Sequence, residues 1–243
     1  MMPMLEAQEI YTHLSRKANP QKRDILMRFF KTERGSYGEG DQFLGVSVPD
    51  TREVAKKYLD ASRETVQALL DSPWHEMRLC ALLILVERFK RSKEEAEREE
   101  LYHYYLSQTS RINNWDLVDL SCYKIVGEFL LHRDHGELQR LAKSDNLWEQ
   151  RIAVVSTMTF IRKGYFATTI SLAEQLLYHP HDLMQKATGW MLREVGKRDL
   201  RPLVAFLDKY AESMPRTTLR YAIEKLPEEQ RKHYLGLKKS KDL

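Results

Sequence analysis

The chain has 243 residues, of which 30% are charged and 42% apolar, and its formal net charge is +4. This length and balance suit one large domain or two small ones with a buried core, and no apolar run approaches the roughly 18 residues of a membrane span. A mild positive charge does not by itself announce a nucleic-acid partner, so the arrangement of the cations must carry that claim.

In chain order, MMPMLEAQEIYTHL lacks a basic stretch followed by an apolar one, so no secretory signal is expected. Ala7, Ile10, Tyr11 and Leu14 form the first apolar helical stripe, and Asn19-Pro20 marks the next helix start. Residues 32–47, TERGSYGEGDQFLGVS, hold four of the ten glycines and form the one long irregular stretch. No Gly-Lys-Ser/Thr follows, which excludes a phosphate-binding loop; a flexible connection, disordered or functional, is expected. Ser72-Pro73 opens a further helix with Leu79, Leu82, Leu83, Val86 and Phe89 on one stripe, and the charge run from Ser92 to Glu100 reads as a solvated helix start. Later stripes are Leu203, Phe206, Leu207, Tyr210 and then Leu219, Ala222, Ile223, Leu226. Pro49, Pro180, Pro215 and Pro227 also sit where helices should begin. No alternating β-rich pair is present, so the class is all-α, and a frayed tail is expected over about 236–243. Cys80 and Cys122 lie in apolar helical runs without CxxC spacing. Buried thiols of a cytoplasmic protein are expected, with neither zinc nor disulfides.

The helices repeat. His75-Glu76-Met77-Arg78-Leu79 resembles Trp148-Glu149-Gln150-Arg151-Ile152 and Leu183-Met184-Gln185-Lys186-Ala187, and Thr217-Thr218-Leu219-Arg220 continues the series. The basic positions 78, 151, 186 and 220 are separated by 73, 35 and 34 residues, the first gap being about two repeats, with the missing unit near position 115. A period of this size with two helices per repeat predicts a helical solenoid whose equivalent positions line one face. Arg78, Arg151, Lys186 and Arg220 would then form a basic track. Solenoids serve most often as protein-binding scaffolds, and equivalent basic residues also cap carbonyls of a preceding helix, so both readings stay open here.

Two segments carry the chemistry. Trp115 and Asp119 are four apart and share a helical face, and Lys186, Trp190, Arg193 and Lys197 form a second, basic stripe around an indole. Both tryptophans also suit plain packing. Gly189 costs its helix about 1 kcal/mol relative to alanine, so close approach of a backbone or ligand is expected there.

Phe43-Leu44-Gly45, Trp115-Asp116-x-Val118-Asp119, Asp145-Asn146-x-Trp148-x-Gln150-Arg151 and Lys186-Ala187-x-Gly189-Trp190-x-Leu192-Arg193-Glu194 together resemble the AlkD-like family of alkylpurine DNA glycosylases, from about Pro20 to Leu235. The resemblance implies one right-handed α-solenoid domain over 1–243, built of HEAT-like antiparallel helix pairs with a concave basic face on double-stranded DNA. It matches Asp119 to the family's catalytic aspartate, Trp115 and Trp190 to indoles flanking the modified nucleotide, and Arg151 to a DNA-backbone contact. Phe29 falls where some relatives carry a DNA-touching Tyr. With these go Lys186, Arg193, Lys197, Arg78 and Arg220 as expected phosphate contacts.

The chemistry suits the residues. A purine alkylated at N3 or N7 is cationic and its glycosidic bond already weak, so one carboxylate serves where ordinary glycoside hydrolysis needs two. Asp119 would stabilise the developing sugar cation, and the indole faces would attract the cationic base. Asp116 suits a helix-start or ion-pair role. The expected protein is a monomeric glycosylase without metal or other cofactor, acting away from membranes on 3-methyladenine- or 7-methylguanine-type lesions. A non-catalytic binder of damaged or branched DNA and a HEAT-type protein scaffold are the alternatives.

Overall fold

A computed structural model describes residues 2–237. Gly236 closes the last helix, and the expected frayed tail lies outside the described residues from position 238 onward. Two compact units divide the chain between Ile125 and Val126. The first contains α1 (Met2–Ser15), α2 (Pro20–Phe29), α3 (Val48–Ala55), α4 (Arg63–Leu70), α5 (His75–Arg91), α6 (Glu95–Ser107) and α7 (Trp115–Cys122). The second contains α8 (Glu128–Leu130), α9 (Gly136–Ala142), α10 (Leu147–Ser156), α11 (Met158–Arg162), α12 (Ala167–Gln175), α13 (Asp182–Arg198), α14 (Leu200–Tyr210), α15 (Arg216–Ala222) and α16 (Glu228–Gly236). The all-α class holds: among the described residues the β-structure amounts to an isolated bridge between Gln42 and Trp74.

Each unit is organised around one long helix. Every residue of α5 from His75 to Val86 is buried, and α1, α3, α4, α6 and α7 pack around it. In the second unit α13 is surrounded by α10, α11, α12, α14 and α15. Leu192 of α13 joins Leu203, Phe206, Leu207, Leu219 and Ile223 in its core. Gly189 has the close neighbour that its place in a helix demanded. A Cβ there would lie 2.5 Å from both the Thr218 carbonyl oxygen and Tyr221 Cβ, so α13 and α15 meet nearly backbone to backbone. Cys80 and Cys122 are buried and form no disulfide. No helix among the described residues is long and apolar enough to cross a membrane.

Helix starts follow the proline and cap signals. Asn19 Oδ1 accepts the Lys22 N–H with Pro20 at the first helical position, and Ser47 Oγ accepts the Asp50 N–H. A common lock also opens α5, α10 and α13. The side chain two residues before the N-cap accepts the N-cap N–H: Ser72 from Trp74 at 3.2 Å, Ser144 from Asn146 at 3.0 Å, His179 from His181 at 3.0 Å. The carbonyl of that same residue accepts from the side chain four after the N-cap: from Arg78 at 2.9 Å, Gln150 at 2.7 Å and Gln185 at 3.0 Å. This lock corrects the repeat register. Arg78 is the structural counterpart of Gln150 and Gln185, not of Arg151 and Lys186. Arg151, Lys186 and Arg220 stand five residues after their N-caps Asn146, His181 and Pro215, and Asp119 stands five after Asn114.

The irregular segment 32–47 is not uniformly loose. Asp41, Phe43, Leu44 and Val46 are buried, and the backbone of 44–46 is tied to α5. The expectation of a flexible loop is corrected for this half. Its apolar side chains belong to the core, and their exposure would cost about 1.5–3 kcal/mol each.

Candidate active site

Three residues at the start of α5 build the floor of the site. The Glu76 carboxylate is buried and accepts three consecutive backbone N–H groups, from Leu44 at 2.9 Å, Gly45 at 2.8 Å and Val46 at 3.1 Å. Charge-assisted bonds to three otherwise orphaned donors are what make a buried carboxylate tolerable. Gly45 has φ +86° and lies against the start of α2, where a Cβ would fall 2.2 Å from the Asn19 carbonyl oxygen. Only glycine satisfies both conditions.

Next to Glu76, the His75 ring is sandwiched between two carboxylates: Nδ1 lies 2.7 Å from Asp41 Oδ2 and Nε2 lies 2.8 Å from Asp116 Oδ2. Arg78 donates to the other Asp41 oxygen at 2.6 Å, and Asn114 Nδ2 donates to Asp41 Oδ2 at 3.3 Å. Burial opposes a charge on His75, but the neighbouring carboxylates of Asp116 and Asp41 outweigh it and raise the pKa to about 9. Burial likewise opposes ionisation of Asp41, and His75 and Arg78 together hold it below the ordinary carboxylate range.

α7 stands on this network. Asn114 caps it by accepting the Trp115 N–H at 2.8 Å. Leu117, Val118, Ser121 and Cys122 face the core, leaving Trp115, Asp119 and Leu120 half-buried. The indole of Trp115 stacks on Phe30 at 5.0 Å and 17°, and Phe29 meets it edge-on at 5.7 Å. Phe30 stacks in turn on Phe43, and Phe43 on His75. A cleft of about 450 Å³ opens beside this column, lined by Lys22, Leu26, Phe29, Phe30, Val46, Ser47, Trp115 and Asp119, among others. Trp115, Asp119 and Phe29, singled out in the sequence, thus share one cleft with an aromatic wall and a carboxylate. Asp116 takes the ion-pair role its position suggested.

The expected phosphate contacts fare unequally. Arg78 is buried, with its guanidinium spent on Asp41 and the Ser72 carbonyl, so it is not available to a phosphate. Arg151, expected as a DNA contact, is also buried, 5% exposed, and donates to the Leu183 carbonyl at 2.6 Å. Lys186 pairs with Asp182 at 2.6 Å, Lys197 with Glu194 at 2.7 Å, and Arg193 with Glu224 and Glu194. Arg220 is exposed. Trp190 is half-buried on α13. Sequence reading assigns no site role to Asp41, Asn114 and Phe30, and names Phe43 only within a matching motif and His75 and Glu76 only within the repeat. A signal was there: His75, Glu76 and Arg78 are titratable residues inside an otherwise apolar run.

Comparison with known proteins bears on the fold and the family. No individually curated protein matches the chain. A solved structure described as a predicted DNA alkylation repair enzyme from Enterococcus faecalis superposes with a TM-score of 0.67 at 18% identity, over 87% of this chain and 98% of that one, which establishes a shared fold. The sequence pattern of the DNA alkylation repair enzyme family matches residues 10–226, from α1 through the end of α15 and so across the whole cleft, and the chain belongs to that family.

Proposed function

We propose that this protein is a DNA glycosylase that hydrolyses the N-glycosidic bond of cationic N3- or N7-alkylated purines in duplex DNA. The observation that carries the reading is the pairing of the half-buried Asp119 carboxylate with the Trp115 indole on one apolar-walled cleft. A cationic purine departs with the bonding electron pair and becomes neutral, so no acid is needed at the leaving base. Asp119 offsets the positive charge that develops on the sugar and orients a water toward C1′; as the C1′–O bond forms the water releases one proton to solvent, and the products are a free neutral alkylpurine and an abasic site. Fixed charge of this kind, in a site partly shielded from water, is commonly the largest single catalytic contribution. The indole face attracts the cationic base by roughly 0.5–2 kcal/mol and gives neutral purines no such preference. The family resemblance supports a nucleotide contact for Trp190 as well. Exposed or half-exposed cations such as Lys186, Lys197 and Arg220 are better suited to phosphates than the buried Arg78 and Arg151.

The test is a duplex carrying a single 7-methylguanine, incubated with enzyme and then cleaved with alkali at abasic sites. Wild type should give strand scission, and Asp119→Asn should lose it by roughly 10²-fold or more while still retaining duplex. Duplex retention without base release in the wild type would mean a non-catalytic binder, and neither result would favour a protein scaffold.

A further inference from the structure

Among the buried ionisable groups that the mechanism leaves unused is the His75 side chain, 2% exposed, at the base of the cleft. Both ring nitrogens lie within 2.8 Å of a carboxylate oxygen. A neutral imidazole has one N–H and one lone pair, and an ionised carboxylate only accepts. A neutral ring would therefore press a lone pair against an oxygen at one end. The arrangement is satisfied when the ring carries both protons, and then two carboxylates, an imidazolium and the Arg78 guanidinium balance.

Two routes lead from this ring to the proposed reacting groups. Through Asp116 it grips the first turn of α7, with Trp115 one residue before and Asp119 three after. Through its face it supports the column Phe43, Phe30 and Trp115. The charged and polar groups around it are Asp41 and Asn114 from the connecting segments, Glu76 and Arg78 from α5, and Asp116 from α7. Glu76 is committed to the backbone of 44–46, so Asp41 and Asp116 set its charge.

We propose that His75, held as an imidazolium between Asp41 and Asp116, is the positioning residue of the cleft, fixing the Trp115 indole and the Asp119 carboxylate relative to one another so that base release depends on its second proton. The proposal rests on the glycosylase reading. It makes His75 a positioning residue and not a catalytic one, since its reach to substrate runs through Asp116 and the aromatic column.

The experiment compares two titrations of the full-length protein. The imidazole resonance of His75 is followed by NMR in histidine-labelled protein and identified by its loss in His75→Gln. The single-turnover rate of 3-methyladenine release from methylated duplex is measured over the same pH range, with the uncatalysed rate subtracted and folding checked at each pH. The expected result is a fall in rate at high pH that coincides with His75 deprotonation, with duplex affinity little changed. Asp116→Asn keeps the hydrogen-bond shape but removes one charge. It should lower the His75 midpoint and the rate midpoint together, and cost up to about 10²-fold in rate through misplacement of the reacting groups. A merely structural role moves stability but not the alkaline limb of the rate profile. A rate that ignores the His75 titration in folded wild type overturns the positioning role alone, and that comparison stands even if the variant does not fold. Absence of base release by the wild type at every pH overturns the glycosylase reading and this proposal with it.

Discussion

Replacing Glu76 tests whether a single carboxylate holds the 41–46 segment onto α5. In Glu76→Ala the N–H groups of Leu44, Gly45 and Val46 lose their acceptor in a region where the flanking side chains are buried. An unsatisfied buried donor costs about 1–3 kcal/mol, and partial entry of water at the cleft side lowers the sum, giving about 4 kcal/mol for the three. Glu76→Gln is the sharper variant. Its one carbonyl oxygen can still serve Gly45 and Val46, the two bonds now made by Oε1, while its amide would face the Leu44 N–H, donor against donor. About 2 kcal/mol is expected. Urea unfolding followed by far-ultraviolet circular dichroism measures both, read from the midpoint with an unchanged slope. A loss below about 1 kcal/mol for Glu76→Ala would refute the reasoning, because it would mean that water or a shifted backbone satisfies the three donors at little cost.

The remaining expectations concern charge and packing. His75 has a folded pKa of about 9, above its ordinary 6.5. Its stabilisation is therefore complete below about pH 6.5 and is lost as the pH rises through 9, by roughly 3 kcal/mol in all; urea midpoints at pH 6.5 and 10 should converge with those of His75→Gln at the higher pH. Trp115→Ala should abolish most base release with a stability loss smaller than the roughly 3–5 kcal/mol of a fully buried aromatic, because the indole is half-buried; a large drop in melting temperature with unchanged activity per folded molecule would make it a packing residue. Arg220→Gln should reduce the salt dependence of duplex binding by about one counterion, whereas Arg151→Gln should chiefly lower stability because its guanidinium caps the Leu183 carbonyl.

The helices were legible because their determinants are local. Apolar stripes at helical spacing, Asn19-Pro20 and Ser72-Pro73 act within a turn or two, and Gly189 could be read as a close approach because its cost has few remedies. The repeat was legible too, but residue-type matching placed Arg78 one position off. The register is set by the hydrogen bonds of Ser72, Ser144 and His179, not by where a cation falls. Asp119 and Trp115 stood out by spacing on α7. Their support did not, because its partners are far apart in the chain: Asp41 and Asp116 lie 34 and 41 residues from His75, and Leu44 lies 32 from Glu76. Nor could sequence distinguish a cation that meets solvent from one buried on a carbonyl, as with Arg220 and Arg151.

α2 buries none of its ten residues, and Ile25 and Phe29 are 59% and 61% exposed. It is anchored at its ends, by the fit of Gly45 against Asn19 and by Phe30, the buried residue that follows it. Unwinding its middle turns would uncover almost no core, so the free energy of that opening is set by a few backbone hydrogen bonds and lies far below that of global unfolding. In deuterated water the amides of α2 should therefore exchange ahead of those of α5, on a clock that core substitutions leave untouched. The wall of the cleft bearing Lys22, Leu26 and Phe29 would fluctuate on that clock, while the wall bearing Trp115 and Asp119 keeps the slower time of the core.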